Sequence, residues 1–310
     1  MPSTITHTYI GLDTLKILNN KPKKIIENNL NNYKIYCQNM DILYFYHIFL
    51  LKGNKYQKLG HLFHTENVLN YFKMLINDNK ENKNLELFTF ISGLITHYIA
   101  DKNAHPYINY YAKINGNTKR KDLHFEIETY LDNYYINKYE TPNYYKHNHS
   151  KLIFNYSKKD IIKKELDKLF LTFWNTPNMG KIYYRSLAEM EFTYKYIRYD
   201  KYGIKRLLYS ILDLNPFNIR RCKNLSYHFK LNKDNLYLNK EHHKWYNIEN
   251  KKITSNKSFE ELYEIITKDS ANIINKLYEY IFENKDINLD KLIENYNYST
   301  GLPIEKTSKY

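Results

Sequence analysis

The segment from Leu85 to Asp101 limits what this chain can fold into more than any other. It reads LELFTFISGLITHYIAD and is apolar around nearly the whole circumference of a helix. A helix of that kind buries all its faces, so the segment predicts the central element of a helical bundle. Two polar residues, His97 and Asp101, stand out near its end, because polar side chains are costly to bury unless they are paired or bind a ligand.

The rest of the chain also favours helices. Only 8 Gly and 7 Pro occur in 310 residues, too few for the frequent turns of a β-sandwich or a barrel. Helices are predicted over 126–135 and 166–174, and a capping box at 258–261 (SFEE) opens another helix that reaches about Phe282. The segment after Asn295 is expected to fray. We predict an all-α fold.

Length and cysteine content bound the organisation of the chain. The chain is long enough for one large domain or two ordinary ones. A polar stretch near residue 150 suggests a metal-binding domain over residues 1–150 and a helical portion over residues 151–310 that packs on it, as part of the same domain or as a second one. Cys37 and Cys222 lie far apart, so neither a disulfide framework nor a cysteine zinc site is indicated.

The N-terminus and the hydropathy of the chain predict a cytoplasmic protein. The first residues, MPSTITH, show neither the basic nor the apolar part of a signal peptide, and no run of 18 apolar residues occurs. We therefore expect no integral membrane segment.

The formal net charge of +14 suits a polyanionic partner such as nucleic acid or an anionic membrane surface. Lys, Asn, Ile and Tyr are, however, enriched together along the whole chain. Part of the charge therefore reflects compositional bias, and we interpret it mainly as a solvated basic surface.

A His-x3-Asp-x3-His pattern closes the central helix, with His97, Asp101 and His105. Residues four apart project from the same helical face, and His124 with Glu128 repeats the spacing. The alternatives are an ion pair at a helix C-terminus for the first pair and a solvated surface pair for the second. Imidazole and carboxylate groups on rigid helices suit zinc, and the absence of paired cysteines favours a catalytic over a structural site.

Further candidate ligands precede this pattern. They are His7, Asp41, His61 and His64. In this order and spacing, the residues resemble the zinc-dependent phospholipase C family, which is structurally related to single-strand-specific zinc nucleases. The resemblance covers roughly residues 1–135, and the closest likeness is to members without a signal peptide. It implies a helical bundle around a metal cluster, with a helical C-terminal extension.

The resemblance also implies up to three zinc ions and assigns their ligands. The ligands of the first ion would be Asp41, His61, His97 and Asp101, those of the second Asp101, His7 and the N-terminal residue, and those of the third His105, His124 and Glu128. Asp101 would bridge the first two ions, and Asp41 and Asp101 would be the catalytic residues.

Two ligands are left as alternatives. Pro2 is the expected terminal ligand after removal of the first residue, and Met1 takes its place if that residue is kept. His61 is preferred over His64, which lies one turn later. The secreted relatives have a longer spacing before the residue that corresponds to His105, so the turn that carries His105 must be tighter here.

The resemblance implies a zinc-dependent phosphodiester hydrolase. Metal ions lower the pKa of a bound water from 15.7 to about 7, so a hydroxide bridging two zinc ions could attack phosphorus at neutral pH. The expected substrate is a phospholipid, as for a phospholipase C, or another phosphate ester, with peripheral membrane contact through the basic surface. One alternative is a nuclease that stacks single-stranded bases on Tyr rings. The other is a non-catalytic metal-binding helical scaffold, since metal chemistry alone does not define the substrate.

Overall fold

A computed structural model describes residues 4–48, 55–115, 123–140, 147–214, 222–228 and 237–304. Its α-helices are α1 (Thr4–Ile17), α2 (Asn20–Asn28), α3 (Leu30–Tyr36), α4 (Lys55–Thr65), α5 (Val68–Asn82), α6 (Leu85–Asn115), α7 (Leu123–Glu140), α8 (His149–Ile153), α9 (Asp160–Trp174), α10 (Met179–Phe192), α11 (Ile204–Leu212), α12 (Phe259–Phe282) and α13 (Leu289–Ile293). The remaining elements are 3₁₀-helices at Asn39–Phe45 and Cys222–Leu225, a π-helix at Thr193–Arg198, and the antiparallel strands β1 (Trp245–Tyr246) and β2 (Thr254–Ser255). The prediction of an all-α fold is confirmed.

Helix α6 is the axis of the bundle. Every residue from Leu87 to Asp101 is buried, which the apolar pattern predicted. Helices α1, α3, α5, α7, α9 and α12 pack around it. The most apolar segment of the chain thus lies where most helices can cover it, which is where burial contributes most.

Helix α6 continues for four turns beyond the predicted end at Asp101. Pro106 lies inside it, and a proline there removes the hydrogen bond to the carbonyl of Lys102. Gly301, at φ +60°, approaches the same carbonyl so closely that a Cβ on residue 301 would clash with it. The helix continues through Pro106 because this turn packs against the C-terminal segment around Gly301. His105 therefore lies on α6 itself.

Residues 296–304 are ordered, so the expectation that the chain frays after Asn295 is wrong for these residues. Asn297 accepts hydrogen bonds from the backbone N–H groups of Ser299 and Thr300, which closes a turn. Tyr298 is fully buried, and its backbone N–H donates to the carbonyl of His64 at 3.0 Å. The local turn and the buried ring together hold the chain against the bundle.

Both predicted portions of the chain contribute to one hydrophobic core. Helix α12 begins at the predicted capping box, where Ser258 and Glu261 bond reciprocally, and packs along α6 and α1. The division of the chain into portions 1–150 and 151–310 stays a prediction. This packing favours the alternative in which both portions belong to one domain. In the described ranges, no helix combines the length and apolarity needed to cross a membrane.

Gly93 lets α6 and α3 approach each other closely. A Cβ at Gly93 would lie 2.7 Å from the carbonyl carbon of Tyr36 and 3.0 Å from the backbone nitrogen of Cys37. A Cβ at Gly11, by contrast, would meet chiefly the thiol of Cys37, at 2.6 Å. Backbone atoms cannot rotate away, whereas a side chain can.

We therefore expect Gly93→Ala to lower the free energy of unfolding by about 2 kcal/mol, because overpacking outweighs the helix propensity of alanine. Gly11→Ala should cost less. Urea unfolding followed by circular dichroism measures both. A Gly93→Ala protein more stable than the parent would contradict the close contact.

Candidate metal centre

Four predicted ligands from three elements meet in the bundle interior. They are His7 on α1, Asp41 on the 3₁₀-helix, and His97 and Asp101 on α6. One ligand atom from each lies within 4.8 Å of the others, and all four side chains are buried. Nε2 of His7 is 3.1 Å from Oδ1 of Asp101, and Nε2 of His97 is 3.0 Å from Oδ2 of Asp101.

A second group adjoins the first. It consists of His105 on α6 with His124 and Glu128 on α7, again with ligand atoms within 4.8 Å of one another. Nε2 of His124 is 2.9 Å from Oε1 of Glu128. Nε2 of His105 is 3.6 Å from Oε1 of Glu128 and 3.7 Å from Oδ1 of Asp101, so His105 connects the two groups.

A local turn positions Asp41. Asn39 adopts φ +50°, and its side-chain oxygen accepts a hydrogen bond from the backbone N–H of Met40 at 2.7 Å. Asparagine tolerates this left-handed conformation better than most residues. Helix α4 packs closely on the same turn, since a Cβ at Gly60 would lie only 3.2 Å from the carbonyl oxygen of Met40.

The structure brings His64, and not the predicted His61, close to the ligand group, so His64 becomes the better candidate ligand from α4. Nε2 of His64 lies 3.7 Å from Oδ1 of Asp41, and its side chain is buried. His61 is exposed. The reason is the buried face of α4, which comprises Leu59, Gly60, Phe63 and His64 and leaves residue 61 on the solvent side.

The expected terminal ligand, Pro2 or Met1, lies outside the described residues. The start of α1 is nevertheless tied to the site. Asp132 on α7 accepts hydrogen bonds from the backbone N–H of Thr6 at 2.8 Å and from its hydroxyl at 2.9 Å. Because Thr6 immediately precedes His7, Asp132 orients the helix end that carries this imidazole.

Hydrogen bonds outside the cluster determine which imidazole nitrogen faces inward. Nδ1 of His97 is 2.9 Å from the carbonyl oxygen of Cys37, and Nδ1 of His105 is 3.2 Å from that of Tyr298. A carbonyl only accepts, so each Nδ1 carries the proton and Nε2 remains available for a metal ion. Nδ1 of His124 makes a similar contact with the side-chain oxygen of Asn109 at 3.0 Å.

Several inward-facing atoms lack a hydrogen-bond partner among the residues that the structure describes. They include Oδ2 of Asp41 and Nε2 of His64. Buried polar atoms without a partner are unfavourable, and lone pairs converging on one point are what a divalent cation requires. The donor set therefore fits zinc, which prefers imidazole nitrogen and carboxylate oxygen when cysteine is absent.

The electrostatics of the cluster also fit a bound cation. Burial lowers the pKa of His7 and lowers that of His64 much further, which disfavours the imidazolium form of both. The rings of His7 and His97 stack at 4.2 Å, which disfavours charge on both. Burial raises the pKa of Asp41 to about 7, and the nearby carboxylate of Asp101 adds to this rise. A metal ion would favour the ionised form of Asp41 beside Asp101.

When no metal is bound, protons on the histidines can neutralise part of the negative charge of the carboxylates. Burial alone would lower the pKa of His105, but the adjacent Asp101 and Glu128 raise it to about 9. Zinc must displace such protons when it binds, so its affinity should fall as pH falls.

Three supporting residues were not predicted from the sequence. Asn109 continues the stripe of α6 at four residues after His105, so its position could have been recognised from spacing. The contacts of the Cys37 carbonyl and of Tyr298 could not have been recognised from the sequence. The ring of Tyr298 lies 4.6 Å from that of His64, yet 234 positions separate the two residues in the printed sequence.

We expect His64→Ala to weaken zinc binding by at least about tenfold, because the variant removes a donor aimed at Asp41. His61→Ala is the matched control and should bind zinc as the parent does, since its side chain is exposed. Titration of metal-free protein with zinc and a competing chelator measures both affinities. Loss of affinity in His61→Ala alone would restore the first assignment.

A family model described as zinc dependent phospholipase C matches residues 6–179, more than half of the chain. The comparisons with curated proteins and with solved structures found no match. The matched range contains both ligand groups and extends past residue 150 through α9. The order of the ligands, their convergence and this match lead to one conclusion: the chain belongs to the zinc-dependent phospholipase C family.

Proposed function

We propose that this protein is a zinc-dependent phosphodiester hydrolase that acts on phospholipids. The observation that carries the proposal is the junction of the two ligand groups, where Asp101 and His105 approach each other to 3.7 Å. Such a junction would hold more than one cation close enough to act on a single phosphate group. Family membership supports the same reaction class.

The proposed site holds up to three zinc ions. The first would be bound by Asp41, His64, His97 and Asp101, the second by His7, Asp101 and the N-terminal residue, Pro2 or Met1, and the third by His105, His124 and Glu128. When bound, zinc would supply Lewis-acid charge for the phosphoryl oxygens and a water of lowered pKa.

Asp101 has the central positioning role in this proposal. Its carboxylate lies within 4 Å of three imidazoles, those of His7, His97 and His105. Although burial opposes ionisation, His105 and His97 hold the pKa of Asp101 well below its usual range. Asp101 therefore favours the anionic form and would be available as a ligand shared by neighbouring zinc ions.

Asp41 is the proposed proton acceptor. Its two oxygens face different neighbours, with Oδ1 3.7 Å from Nε2 of His64 and Oδ2 3.4 Å from Nε2 of His97. A carboxylate that binds metal through one oxygen can accept the proton of an attacking water through the other. The burial of Asp41 keeps bulk water away from this exchange.

The substrate is proposed to enter beside α7. The side chain of His124 is 36% exposed, whereas those of His7, His97, Asp101 and Glu128 are all buried. The leaving group would therefore depart on the side of His124. The net charge of +14 draws anionic phosphates toward the protein as a whole.

Asp101→Asn should lower turnover of a soluble phosphodiester at least about a hundredfold, since metal stabilisation of the transition state is worth several kcal/mol. Asp290→Asn is the matched control, because Asp290 is exposed on α13 and pairs only with Lys73 in the described structure. Initial rates with zinc-loaded protein and circular dichroism of each variant measure activity and folding. Equal turnover of Asp101→Asn and parent would reject the bridging role.

Zinc content separates the hydrolase from a metal-binding scaffold. We expect elemental analysis to find about three zinc ions per chain and the second group to lose its ion first on chelation, because it is the more exposed. One ion or none, together with no turnover of any phosphodiester, would favour the scaffold.

The substrate class is tested by direct comparison. We expect zinc-loaded protein to release phosphorylated headgroups from phospholipid vesicles faster than it cleaves single-stranded DNA or RNA. The assays measure water-soluble phosphate esters and shortened oligonucleotides, and Asp101→Asn serves as the blank in each. Preferential cleavage of nucleic acid would replace the phospholipase proposal with a nuclease.

A further inference from the structure

Helix α11 is amphipathic, but its apolar face points away from the protein. Ile204, Leu207, Leu208 and Ile211 follow the spacing of one helical stripe and are 61%, 65%, 54% and 56% exposed. None of the residues of α11 is buried. Within the described part of the chain, none of them joins the hydrophobic core. A surface helix of a globular protein normally has the reverse orientation.

Polar contacts, rather than apolar packing, attach α11 to the protein. Asp200 accepts a hydrogen bond from the backbone N–H of Arg206 at 2.7 Å, and Asp213 accepts one from the backbone N–H of Lys223 at 3.0 Å. The second bond joins the end of α11 to residues 222–228, and the hydroxyl of Ser226 donates a further bond to Asp200 at 2.9 Å. We call residues 200–214 with 222–228 the α11 hairpin.

The base of the α11 hairpin is fixed rigidly. The guanidinium of Arg198 is buried and lies 4.1 Å from the centre of the Tyr227 ring. Asn224 donates a hydrogen bond to Glu126 on α7 at 3.1 Å. Glu126 lies between His124 and Glu128 in the sequence, so the hairpin is anchored on the helix turn that carries the most exposed zinc ligand.

The surroundings of α11 are strongly basic. The described residues 193–214 and 222–228 include six Lys or Arg residues, two Asp and no Glu. The two acids, Asp200 and Asp213, are both engaged in hydrogen bonds within the hairpin. Lys195 and Lys201 are exposed. An apolar stripe bordered by cations complements a bilayer surface with anionic headgroups.

Exposed aromatic residues extend this surface. Phe192 and Tyr196 contact each other with ring centres 4.8 Å apart, and they are 48% and 54% exposed. The carbonyl of Tyr196 accepts a hydrogen bond from Lys205 on α11, so the aromatic pair adjoins the helix. Aromatic rings favour the headgroup region of a membrane.

We propose that α11 is a membrane-docking element that inserts its apolar stripe into an anionic lipid surface and brings the side of His124 toward the bilayer. The second part rests on the proposed function, since it gives the zinc site its lipid substrate. The docking itself is independent of catalysis and can be measured without turnover.

The test is sedimentation of the full-length protein with vesicles of phosphatidylcholine containing phosphatidylserine, compared with phosphatidylcholine alone. The double variant Leu207→Glu with Ile211→Glu should lower the bound-to-free ratio at least about tenfold. The matched control is Leu171→Glu with Ile253→Glu, at two apolar residues of similar exposure elsewhere, and should bind as the parent does. Lys195→Glu with Lys201→Glu should reduce only the preference for phosphatidylserine.

Turnover of a soluble phosphodiester separates docking from catalysis. The α11 double variant should keep parental turnover on it, and Asp101→Asn should keep vesicle binding. If the parent does not hydrolyse the soluble phosphodiester, the hydrolase proposal is contradicted, but the docking proposal is not. Parental binding by the α11 double variant, or no binding by the parent, would overturn the docking proposal. If the parent does not bind vesicles, and light scattering shows that the parent is a dimer and the α11 double variant a monomer, the apolar face of α11 would be assigned to contact with a second copy of the protein.

Discussion

The fold depends on the burial of ionisable groups at the centre of an apolar bundle. Asp41, Asp101 and Glu128 lie inside the protein with imidazoles at 2.9 to 3.7 Å, in positions where unpaired charges would be strongly destabilising. Protons can neutralise part of this cluster, but the stacked and buried histidines limit how many it can hold. Bound zinc would satisfy the remaining lone pairs, so the stability of the core and the chemistry of the site are two consequences of one arrangement.

Helix α6 contributes both to the hydrophobic core and to the candidate metal centre. Its apolar stretch forms the centre of the core, and its following turns present His97, Asp101, His105 and Asn109 along a single stripe. The segment around Tyr298 covers this stripe from the opposite end of the chain, and the carbonyl of Tyr298 accepts a hydrogen bond from the Nδ1–H group of His105. The C-terminal portion thus completes the surroundings of the proposed zinc ligands as well as the core.

The α11 hairpin differs from the bundle because its apolar side chains are exposed and polar contacts attach it. Hydrogen bonds of Asp200 and Asp213 hold it in place, which leaves its apolar side chains free for another environment. Its attachment to α7 through Asn224 connects that environment to the exposed edge of the zinc site. The proposed hydrolysis of a lipid phosphodiester would use both the polar interior and the apolar face of α11, and the two lie on elements that contact each other.

The sequence by itself determined the helical class, the central helix and the pairing of residues four apart, because helical periodicity is local. It also predicted the capping box that begins α12. Tertiary structure alone decided that His64 faces Asp41 and that His61 faces solvent, since this depends on which side of α4 packs on the 3₁₀-helix. The same holds for Tyr298 and for the orientation of α11, because contacts between distant segments, and not local spacing, determine which face of a helix is covered.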